Sequence, residues 1–301
     1  MQPYSIVIPT RNREELLNKL LAKINFQDHR LEEVIVVDSS DNHIKSFTNQ
    51  TKIKYIHTSI KSAATQRNIG IDNLKEMNQN VFFVDDDVIL PKDYFNQLNE
   101  CLSDPATIGA SGLAINHSEN NIRTKPRGIS GLYRRIFLLD SKRDGVLLRS
   151  AINIPVRFKE DSLNLVIDTE WLIGCAAWKS TIFTEFRFED KFMGQSLGED
   201  VLFSSKSKKK GKLKVDTSII MDHLESEIER PGQESFYKMW ITNRFEISKQ
   251  LHLSWFNVAF HWANLGKCII TTIRSDLNKE SKKSIIKGIL AGYRGLYFGT
   301  K

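Results

Sequence analysis

Four short apolar runs, YSIVIP (4–9), EVIVV (33–37), IKYIH (53–57) and VFFV (81–84), alternate with polar or helix-patterned segments through the first third of the chain. Runs this short and rich in β-branched and aromatic residues suit strands buried on both faces of a sheet. Between the first two, Leu16, Leu17, Leu20, Leu21 and Ile24 recur at helical spacing, predicting an amphipathic helix over 14–26. Ser62 can cap a second helix over 63–77. Strand and helix in alternation predict an α/β fold whose mostly parallel sheet is covered on both faces. The polar residues that follow the strands, among them Thr10, Asp38 and Asp85 to Asp87, then fall on one rim. Ligands of open α/β sheets bind outside the carboxyl ends of the strands.

The fourth run delivers the most informative residues. In VFFVDDDVIL (81–90) an apolar strand breaks into three successive carboxylates, Asp85, Asp86 and Asp87. Adjacent carboxylates repel one another unless a cation or hydrogen-bond donors hold them. A hard divalent ion, Mg²⁺ or Mn²⁺, carrying a phosphate is the economical explanation, since such ions take one or two carboxylates plus substrate phosphates. A solvated acidic turn is the plain alternative. No GxGxxG follows the first strand, which disfavours a dinucleotide fold of the usual fingerprint.

Further along, Pro91 can open a helix reaching about 102, and 107–115 is another strand-like run. Residues 116–160 lose periodicity and are too long for an ordinary loop; they read as an insertion with short strands that shapes a substrate site. Apolar character returns in EWLIGCAAWKSTIF (170–183). FMGQSLGEDVLFSS (192–205) then carries a second acidic pair, Glu199 and Asp200, after Gly198. A last strand over 215–221 precedes Asp222 and His223, and beyond 231 the pattern is helical and aromatic.

Composition excludes several classes. At 301 residues with 41% apolar and 26% charged residues, the chain reads as an ordinary globular protein. Cys101, Cys175 and Cys268 form neither a CxxC pair nor a zinc spacing, which fits a reducing, cytoplasmic setting. The first residues enter a strand pattern at once, leaving no room for a signal peptide, and no 18-residue apolar window predicts a spanning helix. The net charge of +7 is uneven: residues 267–301 alone contribute +6, and KSKKKGKLK (206–214) is a second basic cluster. No nucleic-acid module accompanies either, so no nucleic-acid partner is expected.

In their order, the motifs SIVIPTRNR (5–13), VIVVDSSD (34–41), ATQRNIGI (64–71), FFVDDDV (82–88), the 170–183 stretch, LGEDVLFS (197–204) and DH at 222–223 resemble the family 2 glycosyltransferases of the GT-A fold. The similarity spans roughly residues 3–245. It implies a GT-A domain over 1–230, with a nucleotide-sugar half to 105 and an acceptor half from 106, followed by a helical extension over 231–301. It also implies the residues of the site. Pro9, Thr10, Arg11, Asp38, Arg67 and Asn68 would line the donor pocket, although Asp38 could equally cap its own turn and Arg67 be a surface helix residue. Asp85 and Asp87 match the family's two metal-site acids. Asp87 is the expected metal ligand, with Asp85 or Asp86 facing the ribose and the register open by one residue. His223 matches a histidine that in many relatives completes the metal site. Asp200 matches the catalytic base, preceded by Glu199, and implies inversion at the anomeric carbon; helix N-terminal acids are the structural alternative. Trp171 and Trp178 could face an acceptor sugar, with core packing the stronger expectation for at least one. VDSSDN lacks the second acid common in relatives, which leaves the nucleotide (UDP, GDP or TDP) open.

In the C-terminal stretch Ile285, Ile286, Ile289, Leu290, Tyr293, Leu296 and Tyr297 recur at helical spacing beside Lys283, Lys287 and Arg294. This basic amphipathic helix could lie on the inner face of a membrane, or pack on protein, including a second subunit. The resulting expectation is a metal-dependent transferase of surface-polysaccharide type, acting on a glycan or lipid-linked acceptor. Two other readings stand beside it: a sugar-1-phosphate nucleotidyltransferase, and a non-catalytic glycan- or nucleic-acid-binding protein.

Overall fold

The computed structural model describes residues 2–44, 51–77, 79–115, 126, 128–157, 164–192, 194, 196–224 and 232–299. Backbone contacts divide the chain into two compact units, Met1–Thr124 with Val156–Ile228, and Lys125–Pro155 with Glu229–Lys301. This differs from a division at 230 in one segment: residues 125–155 group with the C-terminal helices. Residue 231 and parts of the expected insertion, 116–125, 127 and 158–160, lie outside the described residues.

In the first unit β1 (Tyr4–Thr10), β2 (Leu31–Asp38), β3 (Ile53–His57) and β4 (Asn80–Phe83) form a parallel block ordered β3-β2-β1-β4. All seven residues of β1 are buried, and successive side chains go to opposite faces. Ile6 and Ile8 join Val34, Val36 and Phe82 under Leu17 and Leu20 of α1 (Glu14–Leu21). Val7 joins Ile35, Val37 and Phe83 under Ala64 and Ile71 of α2 (Ala63–Asp72). Burial on both faces is why the strands read as continuous apolar runs. Ser62 caps α2 as expected, its hydroxyl accepting from Thr65 N–H.

After β4 the chain crosses to β5 (Val88–Ile89) at the opposite edge of the sheet, so the aspartate turn links its middle to its edge. α3 (Tyr94–Cys101) starts later than Pro91 because Asp93 takes a left-handed conformation, φ +62°. β6 (Thr107–Ile115) spans the expected run. β9 (Val166–Thr169) and β10 (Ala177–Lys179) follow, then a 3-10 turn over Ser180–Thr184, α5 (Glu199–Ser207) and β11 (Lys212–His223). β10 runs antiparallel between β4 and β6; β11 is parallel to β6, with β5 and β9 antiparallel to β11. Among the described residues this makes one nine-stranded sheet, mostly parallel where the site lies.

The second unit contains α4 (Gly128–Ile136), the small hairpin of β7 (Val146–Leu147) and β8 (Asn153–Ile154), and α6 (Gln233–Leu251), α7 (Phe256–Ile273) and α8 (Lys279–Phe298). The short strands of the 116–160 stretch are there, but α4 is a helix that its broken periodicity did not announce. Of the expected apolar stripe of α8, Ile285 and Ile289 are buried, and Gly288 and Gly292 beside them touch α6. A Cβ at Gly292 would meet Ile241 at 2.6 Å, so only glycine permits the close approach. That part of the stripe packs on protein, while Leu290 and Tyr297 are exposed. No helix among the described residues is long and apolar enough to cross a membrane.

Candidate active site

The rim of the parallel block is built from inside outward. Gln66 of α2 donates from Nε2 to Thr10 O (2.8 Å) and Val37 O (2.7 Å), tying the helix to the ends of β1 and β2. One turn of chain beyond β4, the three aspartates take three different environments. Asp86 is enclosed, its side chain 3% exposed; it accepts from Thr10 Oγ1 at 2.6 Å and Arg13 Nη1 at 3.0 Å. Burial pushes its carboxyl up to about 6, opposed by Arg13 and Thr10. It is a strut between two strand ends, enclosed where a ribose contact would need it open. Asp85 is the open one, at 29% exposure. Asp87 is buried, accepting from the same Arg13 Nη1 at 3.1 Å, with His223 Nε2 3.4 Å away at the end of β11.

A second cluster surrounds Arg67. This buried guanidinium donates from Nη2 to Asp85 Oδ1 at 2.7 Å and from Nη1 to Glu199 Oε1. Burial works against its charge, but Glu199 and Asp85 more than offset that and hold it ionised. Gly174 lies against it: a Cβ there would come within 2.7 Å of Arg67 Nη2. Asp85 is anchored further by its N–H, which points at Cys175 Sγ, 3.3 Å away. The two acidic motifs, far apart in sequence, are thus clamped together by one arginine.

Glu199 and Asp200 open α5, whose N-cap Gly198 has φ +88°, a conformation that favours glycine. The segment leading there is clasped to α2. Ser62 Oγ donates to Phe192 O, Ser196 Oγ accepts from Ala64 N–H, and Asn68 exchanges hydrogen bonds with the Phe188 backbone and donates from Nδ2 to Asp190 Oδ1. Asn68 therefore positions this segment and does not face the acids. Burial raises Glu199, with Arg67 opposing it. Asp200 is half-buried; burial lifts it to about 6, held back by the N–H of Val201, which donates to its Oδ1 at 2.8 Å. Of the pair, Asp200 has the side chain not clamped in an ion pair.

The other expected site residues fall as follows. Pro9 and Thr10 are buried at the end of β1, while Arg11 is partly exposed and 3.9 Å from Asp41. Asp38 is fully buried, Oδ1 accepting from Ser40 N–H at 2.8 Å and Oδ2 from Tyr55 OH at 2.6 Å, the turn-capping arrangement. Trp178 is core: its ring meets Phe203 edge-on at 4.8 Å and covers Gly109. Trp171 is nearly as enclosed, so neither indole offers a face to an acceptor. Arg13, Gly174 and Cys175 were missed. Arg13 stood in view, in the polar loop after β1; the glycine and cysteine carried no signal apart from their contacts.

Among the described residues no three His, Cys, Asp or Glu side chains are gathered as a metal site. The donor set nevertheless fits a divalent ion whose coordination a diphosphate completes. Asp87 and His223 converge at a rim where carboxylates already crowd, and Mg²⁺-type sites use few protein ligands.

The sequence matches the family described as glycosyl transferase family 2 over residues 5–160. The chain belongs to that family. It is a glycosyltransferase, and its fold is GT-A. Solved structures share the glycosyltransferase's architecture at low identity. GalNAc-T7 with UDP, GalNAc and Mn²⁺ aligns with a TM-score of 0.59 and 14% identity over 96% of this chain and 54% of that one, so the chain spans about half its length. The mannosyltransferase PcManGT from Pyrobaculum calidifontis, in complex with GDP-Man and Mn²⁺, gives 0.54 and 14% over 100% and 89%. S. aureus TarS 1–349 gives 0.52 and 12% over 98% and 81%. No curated protein matches the glycosyltransferase.

Proposed function

We propose that this glycosyltransferase moves a sugar from a nucleoside diphosphate to a hydroxyl of a glycan or lipid-linked acceptor, with inversion, in surface polysaccharide assembly at the inner face of the cell membrane. The observation that carries the reading is the Arg67 clamp, which brings Asp85 beside the Glu199–Asp200 pair at the strand ends. The acceptor oxygen attacks the anomeric carbon as the bond to the diphosphate breaks, and Asp200 takes the hydroxyl proton. A carboxyl lifted to about 6 suits a base working near neutral pH. Glu199, held by Arg67, positions Asp200 through the first turn of α5. Asp87 and His223 would hold Mn²⁺ or Mg²⁺, whose charge offsets that developing on the leaving diphosphate. Arg13, between Asp86 and Asp87, keeps those acids in place. The UDP and GDP-Man complexes of the structural neighbours, each with a metal where GalNAc-T7 and PcManGT are concerned, support this donor class.

Thermal shift with UDP, GDP and TDP, each with and without Mn²⁺ or Mg²⁺, tests the reading. A ligand at a hundred times its Kd adds about 2.7 kcal/mol of stability. One diphosphate should stabilise the protein only with metal, and Asp87→Ala should abolish that shift. No shift with any nucleotide under either metal would overturn the reading. NMR of the first-formed product reports inversion through its anomeric configuration.

A further inference from the structure

The second unit carries an apolar surface that the transferase reading does not use. On α7 and its N-cap, Trp255, Val258, Trp262, Leu265, Ile269 and Ile273 are all exposed, Trp255 at 76% and Ile273 at 69%. Their spacing puts them on one stripe of the helix, about 27 Å long at 1.5 Å per residue. On α4, Ile129, Leu132 and Ile136 make a second exposed stripe, with Ile129 at 89%. The two helices are locked together: Trp262 stacks on Phe137 at 4.6 Å and donates from Nε1 to Ile136 O, and Tyr133 OH donates to Gly266 O. The stripes therefore form one surface, larger than the scattered exposed apolar residues of an ordinary monomer.

Charge decides what covers it. Neither α4 nor α7 contains a carboxylate, whereas Arg134 and Arg135 close α4 and Arg274, paired with Asp276, follows α7. The second unit holds nineteen Lys and Arg against seven Asp and Glu, a net +12; with the whole chain at +7, the first unit is left at −5. A second copy on this face would bring +12 against +12. An anionic lipid surface offers both an apolar layer for the aromatic and aliphatic stripe and phosphates for the cations around it.

We infer that the α4–α7 face seats the second unit on an anionic lipid bilayer, with Trp255 and Trp262 at the headgroup level. This assigns membrane contact to α7 and α4, and it does not rest on the sugar-transfer reading.

The test is vesicle flotation of the full chain with phosphatidylcholine alone and with 30% phosphatidylglycerol, read with tryptophan emission. At least tenfold stronger partition onto the anionic vesicles and a blue shift of emission are expected. Val258→Asp with Ile269→Asp should lower that partition at least tenfold while leaving the melting temperature unchanged. Trp255→Ser, at a still more exposed position, should remove much of the blue shift. Equal partition onto both vesicle types, or partition that the paired aspartates do not alter, would overturn the inference. So would a concentration-dependent dimer in light scattering that the same pair abolishes, which would assign the face to a second copy.

Discussion

Arg67 in the first unit and Arg244 in the second are both buried, and the two are held in opposite ways. Arg67 in the first unit is surrounded by acids, Asp85 and Glu199 on its nitrogens and Asp200 nearby. Arg244 in the second is as deeply buried, yet it sits among neutral groups: Nη1 donates to Asn264 Oδ1 at 2.8 Å, Nη2 to Ser150 O, and the guanidinium lies over Trp240 at 4.0 Å and Phe260 at 5.1 Å. Burial alone pushes Arg244 down, while the carboxylates keep Arg67 up. Arg244 is thus a packing element that happens to be charged. Arg67 is an electrostatic keystone whose removal strands two carboxylates, and that difference sets apart the unit for which we propose the chemistry.

The comparison can be broken experimentally. The largest effect should come from Asp200→Asn, which removes the only candidate base left unclamped: kcat should fall about a thousandfold, on the order of 4 kcal/mol in the barrier. Calorimetry should show donor binding unchanged; lost donor binding would instead make Asp200 part of the donor pocket. Next is the arginine pair itself. Arg67→Met should cost about 3–5 kcal/mol in urea unfolding because it leaves buried charges unpaired. Arg244→Met, which strands no carboxylate, should cost about 1–2 kcal/mol through lost ring contact and hydrogen bonds. Equal losses would erase the distinction. The smallest effect is on the pH profile. With Asp200 lifted to about 6 by burial, its base form is lost as pH falls through that value, so kcat should drop about fivefold from pH 6 to pH 5. Asp85 contributes to that elevation, so Asp85→Asn should move the inflection to lower pH.

The parallel block was legible because β1, β2 and β4 are buried on both faces, which writes itself as apolar runs, with the half-exposed edge strand β3 the weakest of the four. The rim acids were legible because carboxylates at strand ends have few structural uses. Their division of labour was not: whether Asp85 or Asp86 is enclosed depends on Thr10 and Arg13 arriving from another strand. Asp38 shows the same limit, since Ser40 and Tyr55 cap it from two elements. α4 escaped notice because Gly, Arg and isolated aromatics give it no buried stripe; Gly131 is its buried residue. Periodicity pointed to an apolar stripe on α8, part of which is buried; the longer exposed stripe, on α7, went unannounced. That helix is apolar on most sides, so its pattern could not say which side is covered.

The strand β10 gives the sheet a seam. It is three residues long and runs against its neighbours, and among the described residues it is the one strand joining the block β3-β2-β1-β4 to the pair β6-β11. The chain itself crosses that seam in the turn that carries Asp85, Asp86 and Asp87 on its way to β5. Asp87 already lies on the far side of the seam: Leu224 N–H donates to Asp87 O at 2.8 Å, and Val88 pairs with His223. The β5–β11 ladder therefore holds Asp87 and His223 in register with each other, and slippage along the seam would leave the gap between them unchanged while moving both against Thr10 and Arg13 at the end of β1.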